Sequence, residues 1–494
     1  MSEAKKIVTF PFKVLGAGAM YLLKGQVLQS RTGADFAKPS DYRSYLNSSN
    51  RGLLLDGEHL RLSEPESFQN VCVIARVGAG KTSRYVIPNV LDKARRSCSM
   101  VINDPKGEVF EQTSESLRRS GYKIIVIDPE IPERSSYFNP LQEASNDIEL
   151  EQVAEILVRC GIPSGQGKDD FWLQGAIRFV SLFIKCLKNA GDENPNWFNL
   201  HNLYYLFQNF GDKGANLDSF MGQFTIYPDA PEDRRLWDEW KGILTGNKEG
   251  VQSFVLNAIT SLKSLSNQNL ARLTAKSDIK LEDIRREKTA IYMITPAQHA
   301  EYYSFLTSLF FRCVFNACMR KMPDKDTLPV YIIYDEFGHS TIPNFVSTAN
   351  TIRGYKVSLS IILQSISQLS ARYGHDYASS IQGGFNTYLT YSGADPQTAS
   401  FFETIIGKVK ERQKKEFDDP IDQYREYSLM GAAEVRTIGS NEALIVSSNR
   451  QPVRLKTTPY FVNGRLKRKA KMGACETGGN RHDEPLQKVR LDGG

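Results

Sequence analysis

The sequence has no run of 18 or more apolar residues, which is about the length a bilayer-spanning helix needs. Its best candidate, Ile7 to Leu23, is short and is broken by Pro11 and Lys13. That stretch is expected to lie on a membrane surface or to pack on the body of the protein, not to cross a bilayer, and it carries no secretory cleavage pattern. Cysteine is scarce too. The seven cysteines are odd in number and scattered, with no C-x-x-C pair. This speaks against a disulfide framework or a thiolate zinc site and points to a reducing, cytoplasmic compartment. The six histidines show no metal-ligand spacing. A strong excess of one charge is also missing: the net charge is only +6. From Arg465 onward eight basic residues face four acidic ones, so the tail holds +4 of that and the body about +2. A nearly neutral body must meet any polyanion through a local patch.

What is present is an ordinary globular composition, 41% hydrophobic and 24% charged, in a chain long enough for two or three domains. Short β-branched runs recur, each closed by turn residues: Val71–Ala75, Ser99–Asn103, Lys123–Asp128, Ala290–Thr295, Val330–Tyr334, Ser358–Leu363, Asn386–Tyr391 and Ala443–Ser447. Several are nearly continuous apolar strands, the pattern of a parallel sheet covered on both faces. Between them Leu150, Val153, Ile156 and Leu157, then Phe171, Ile177, Phe179 and Leu182, recur at helical spacing. The expected architecture is an α/β core over 51–147 and 286–464, interrupted by a mostly helical insertion over 148–285. Residues 1–50 form an N-terminal segment, Lys408–Asp419 is expected to be a solvated helix or loop, and 465–494 a basic, disordered tail.

One stretch bears on chemistry: Ala75-Arg76-Val77-Gly78-Ala79-Gly80-Lys81-Thr82, directly after the apolar run Val71–Ile74. A bare Gly-Lys-Ser/Thr arises by composition in roughly one unrelated chain in four of this length, so context must decide. A buried-looking strand enters the loop and a helix-capable segment, Ser83 onward, leaves it. Backbone N–H groups of such a loop converge on phosphate, with a lysine on the outer phosphates and a hydroxyl on Mg²⁺. Gly78, Gly80, Lys81 and Thr82 supply these parts, with Ala75, Val77, Ala79 and Ser83 completing the cradle, while Arg76 adds positive potential. Ala75 stands where a glycine is usual, a tolerable change where the chain still leaves the strand with negative φ. The matching half is Val330–Glu336: Asp335 is placed to hold Mg²⁺ together with Thr82, and Glu336 to orient and deprotonate water.

With these pieces in place, the chain resembles the type IV secretion coupling proteins, the TraG/TraD-like ATPases of conjugation. The resemblance rests on the loop, on VINDPKGEVF (Val101–Phe110), on FNPL (Phe138–Leu141) ahead of the insertion, on SDIKLEDIRREKTAIYMITP at the return to the core, and on TIRGYKVSLSIILQSISQLSARYG (Thr351–Gly374). It runs from about Gly52 to Phe461 and implies a RecA-like P-loop domain with an all-α insertion, using ATP and Mg²⁺. It further implies a hexamer with nucleotide between subunits, and DNA bound without sequence preference. The other implied partners are a relaxase or other secretion substrate and inner-membrane channel components, at the cytoplasmic face of the bacterial inner membrane. Within that picture Arg353 resembles the finger that reaches a neighbour's γ-phosphate; the plain alternative is a surface ion pair. Gln364 is placed to feel the γ-phosphate or the attacking water; the plain alternative is a polar strand end. Asp104, Lys106 and Glu108 either touch nucleotide or cap the next helix. Family members usually begin with transmembrane helices, so the expectation here is a soluble variant held by a membrane partner or attached through residues 7–23. Two rival functions stand beside the coupling protein: an FtsK/HerA-like DNA pump, and a docking platform for protein substrates.

Overall fold

The structure is a computed structural model and describes residues 31–161, 170–227, 230–246, 248–412, 424–478 and 485–491. Residues 7–23, the candidate membrane-surface stretch, lie outside the described residues.

The core is a nine-stranded sheet: β1 (Val71–Ile74), β2 (Ser99–Asn103), β3 (Lys123–Ile127), β4 (Thr289–Met293), β5 (Val330–Tyr334), β6 (Val357–Leu363), β7 (Thr387–Tyr391), β8 (Glu442–Ser447) and β9 (Val453–Lys456). Their order across the sheet is β9-β8-β7-β1-β6-β5-β2-β4-β3. The seven strands from β7 to β3 are parallel, and β8 and β9 add an antiparallel edge. Each of the eight strands expected from the sequence forms, with ends shifted by a residue or two. The central ones read as continuous apolar runs because helices cover both faces: every residue of β1, β2, β4, β5, β6 and β7 is buried.

Two helices follow β1 and β2 on one face, α1 (Ile87–Lys93) and α2 (Glu108–Arg119). The insertion opens with α3 (Asp147–Gly161) and α4 (Asp170–Glu193) and includes α5 (Lys248–Ser261). Leu150, Val153, Ile156 and Leu157 are all buried, as their spacing requires, whereas Phe171 faces outward at 64% exposure. The insertion is not loosely tethered. Its apolar side chains belong to the same continuous core as α6 (Ser304–Met319) and one face of the sheet. The α6 residues Arg312 and Asn316 both donate to Gln152 Oε1 on α3, at 3.1 and 3.0 Å.

Two expectations fail. Lys408–Arg412 is a strand, paired with Tyr424–Ser428 and Arg31–Gly33 in a separate three-stranded sheet, and Val409 is buried beneath it. The surrounding charges hide a strand whose stability comes from its partners; residues 413–419 lie outside the described residues. The basic tail is also ordered where it is described. Asn463 caps α7 (Gly464–Ala470), which buries Leu466 and Ala470. The chain then donates from Cys475 N to Ser114 Oγ (2.9 Å) on α2. Residues 485–491 run over the insertion, where Asn202 Nδ2 donates to Gln487 O (2.9 Å) and Val489 N to Asn202 Oδ1 (3.0 Å). A few well-spaced apolar residues and backbone bonds suffice where a packed surface already exists to receive them.

The junction of core and insertion contains a buried carboxyl. Glu143 accepts from Leu281 N at 3.1 Å, and burial raises its pKa from 4.5 to about 7. Between those values the folded chain binds more protons than the unfolded one, so stability falls as pH rises through that window and the full loss persists above it. Glu143→Gln keeps the acceptor and removes the charge. It is expected to raise thermal stability at pH 8 by on the order of 1–3 kcal/mol and to change little at pH 5; an equal shift at both pH values would show that the charge is not the cause.

Candidate nucleotide site

Strand order brings the site together. At the carboxyl ends of the parallel strands, β1 leads into the loop, β6 into Gln364, β5 into Asp335 and Glu336, and β2 into Asp104. Open parallel sheets bind ligands at this edge.

Ala75 still belongs to the sheet. Its N–H donates to Leu363 O at 2.9 Å, it is buried, and it is not among the residues of positive φ. A glycine is therefore not needed there. It is needed at Gly78 (φ 81°) and Gly80 (φ 89°), where the chain is left-handed. Val77 projects outward, 65% exposed. The loop then enters a π turn, Thr82–Val86, before α1. Pro88 explains the wider turn: its ring would clash with the carbonyl four residues earlier, and Ile87 N reaches back to Thr82 O instead.

Lys81 is buried to 7% exposure, and its amine lies 3.4 Å from Glu336 Oε1. The other oxygen of Glu336 accepts from Gln364 Nε2 at 2.8 Å. Gln364 is itself held, its N–H donating to Gln368 Oε1 at 2.8 Å. Glu336 adopts φ 55°, ψ 45°. A non-glycine residue held there costs about 1–3 kcal/mol and persists only when its surroundings impose it. Asp335 is nearly buried, and burial first, then the Glu336 charge, lifts its carboxyl to about 7. A carboxylate so short of solvent favours a cation beside it.

The remaining expected residues divide. Asp104 accepts from Phe110 N at 2.8 Å, the helix-capping alternative, and burial raises it to about 6. Glu108 begins α2, and Lys106 is exposed. Arg76 is exposed and lies over Gly393, where a Cβ would come within 2.5 Å of its Nε. Arg353 is exposed on the short turn Ile352–Tyr355 ahead of β6. The seven residues of β6 therefore separate it from Gln364 by about 23 Å along the strand, so it is not part of this chain's own cluster.

Sequence reasoning missed two side chains. His339 Nε2 stands 3.9 Å from Glu336 Oε2, three residues on in the same turn. Asn103 Nδ2 donates to Asp335 O at 2.7 Å, fixing the end of β5 against β2. The i+3 spacing from Glu336 was the available signal for His339, whereas Asn103 had none beyond its place at a strand end.

A P-loop joined to an acidic strand end on a parallel sheet with a helical insertion defines a RecA-like nucleotide-binding fold. Comparison with solved structures agrees. The bacterial conjugative coupling protein TrwBdeltaN70, unbound, superposes with a TM-score of 0.67 at 14% identity, over 86% of this chain and 93% of that one. The plasmid coupling protein TrwB in complex with ADP and Mg²⁺ gives 0.66 at 15%, over 87% and 94%. The family model described as "Type IV secretory system Conjugative DNA transfer" matches residues 40–480, and the chain belongs to that family. Its relatives include Protein VirD4 of Rhizobium radiobacter, 25% identical over 416 residues covering 80% of this chain and 57% of that protein. They also include the conjugal transfer protein TraG of the same organism, 22% identical over 344 residues, 68% of this chain and 52% of that protein. The chain thus spans just over half the length of these curated relatives. No helix among the described residues is long and apolar enough to cross a membrane.

If the cluster works as its geometry indicates, Lys81→Ala will abolish tight nucleotide binding in a direct titration, and Glu336→Gln will leave binding intact while lowering turnover about 10²–10⁴-fold. Wild-type hydrolysis by Glu336→Gln would remove that residue as the base.

Proposed function

We propose that this chain is an ATP-dependent coupling protein that recruits a relaxase–DNA complex or another secretion substrate and drives DNA into a conjugative type IV secretion channel, at the cytoplasmic face of the inner membrane. The observation that carries the reading is the convergence of Lys81, Glu336 and Gln364 at one edge of the parallel sheet, in a chain of the conjugative DNA-transfer family.

The residues fit MgATP. Gly78 and Gly80 take the left-handed conformations a phosphate-wrapping loop requires, and TrwB, which shares the fold, has been solved with ADP and Mg²⁺. Thr82 and Asp335 would hold the metal, and Mg²⁺, when bound, neutralises charge on the outer phosphates. Phosphate oxygens are better partners for Lys81 than Glu336 is, because they carry more charge. Binding therefore frees Glu336 Oε1 from the lysine while Gln364 keeps hold of Oε2. The freed oxygen then accepts the proton of an attacking water, and Gln364, tied to Gln368, keeps the carboxylate aimed.

Arg353 fits a role in trans. It lies at the opposite end of β6 from its own chain's cluster, is exposed, and makes no ion pair among the described residues. In a ring, that edge of one subunit would face the phosphate edge of the next. Fingers of this kind contribute about 10³–10⁵ in rate where they are characterised. Mixing Arg353→Ala with Lys81→Ala subunits tests this, since each defect lies on a different side of the shared interface. Mixed assemblies are expected to regain ATPase activity that neither variant has alone; no recovery at any ratio would count against action in trans.

A further inference from the structure

Two large apolar side chains stand exposed side by side at the end of the core: Phe461 at 51% and Val462 at 63%. Isolated exposed apolar residues need no explanation, but an adjacent pair on a rigid turn does. The turn is pinned on both sides. Before it, Thr458 N donates to Asp56 O (2.8 Å) and Thr458 Oγ1 to Glu58 Oε2 (3.1 Å). Val462 N then closes onto Pro459 O at 3.0 Å, and Asn463 caps α7 by accepting from Arg465 N and Leu466 N.

The turn is also fixed to the phosphate loop. Tyr460 N donates to Ser83 O at 2.9 Å, two residues beyond Lys81. The pKa of the Tyr460 hydroxyl is raised by burial and then by the charge of Glu108. Its ring meets the Phe461 ring edge to face at 5.5 Å. Phe461 is therefore held at the phosphate-binding edge of the sheet, beside the turn Thr82–Val86 that leaves the loop, with an open face. A nucleotide whose phosphates sit in the loop must send its sugar and base out past this first turn. An aromatic face there is the chemistry that receives a base, because every base has a flat π-surface and stacking needs no matched hydrogen-bond edge.

We propose that Phe461, backed by Tyr460, is the platform on which the nucleobase stacks. This deepens the reading of the loop as a nucleotide site and rests on it. Stacking without edge recognition also implies little choice between adenine and guanine.

Calorimetric titration of the full chain with MgATP, MgGTP and magnesium tripolyphosphate, which carries the phosphates but no base, tests the proposal. Phe461→Ala is expected to weaken ATP and GTP about 10-fold each and to leave tripolyphosphate unchanged. Phe461→Trp is expected to keep ATP affinity and to show quenched tryptophan emission with ATP but not with tripolyphosphate. Unchanged ATP affinity in Phe461→Ala overturns the proposal, as does an equal loss for ATP and tripolyphosphate, which would mark a structural role. The two readings fail separately. Wild-type protein that binds neither ligand removes the nucleotide site and the platform with it. Wild-type protein that binds ATP no better than tripolyphosphate removes the platform alone.

Discussion

The arrangement of the site turns on a lysine and a glutamate held 3.4 Å apart with side chains only 7% and 13% exposed. Taking two charges out of water costs several kcal/mol each, and a buried pair often recovers no more than it loses. Stability does not account for this one. The pair also forces geometry: β1 and β5 are not neighbours, and β6 lies between them. The loop after β1 and the acidic end of β5 can meet only across the end of β6, where Gln364 emerges and bonds Glu336. The left-handed backbone at Glu336 is the local cost of aiming its carboxylate back over that gap.

Much of this was legible because parallel strands buried on both faces leave an unmistakable run of apolar residues, and because the loop and Asp335-Glu336 close two such runs. What was not legible shares a cause. The strand β9 alternates buried and exposed residues over only four positions, Val453 to Lys456. Lys408–Arg412 hides the buried Val409 among charges. The basic helix α7 looks like a loose tail until Leu466 and Ala470 are seen against the core. In each case the stabilising partner is distant in sequence, and composition cannot report it. Local chemistry also fails to say which end of a strand a residue occupies relative to a site. Arg353 and Gln364 bracket the same strand, and only the sheet shows that they face opposite edges.

The helical insertion is built into the core and not hung from it. Phe311 on α6 stacks on Tyr334 at 4.0 Å, Tyr334 meets Phe337 at 5.1 Å, and Phe337 packs on Phe345 at 4.6 Å. Phe337 directly follows Glu336, and α6 bonds α3 of the insertion through Gln152. A cleft of about 800 Å³ opens along this wall, bounded by Arg159 of α3, Tyr373 and His339. Close-packed aromatic contacts of this kind shift between discrete arrangements and do not deform smoothly. The insertion and the turn that carries Glu336 are therefore mechanically adjacent, with His339 facing both the cleft and the carboxylate.

One chain brings together the glycine-rich loop, Lys81, two strand-end carboxyls and an amide, and Arg353 stands outside that cluster. Charge spreading over a transferring phosphoryl group is held in related chemistry by more than one cation. The exposed arginine that could supply the other lies about 23 Å away along β6, past the amino end of that strand. If Arg353 is the donor proposed above, a fold that places donor and receiver on opposite edges of a single sheet cannot complete the site by bending, because β6 is a central strand with partners on both sides. It can complete it by repetition: the amino edge of one copy against the carboxyl edge of the next is a head-to-tail contact, and such contacts close into rings when the rotation between copies permits. On that reading, the same topology that gathers half of the chemistry at one edge leaves the other half to assembly.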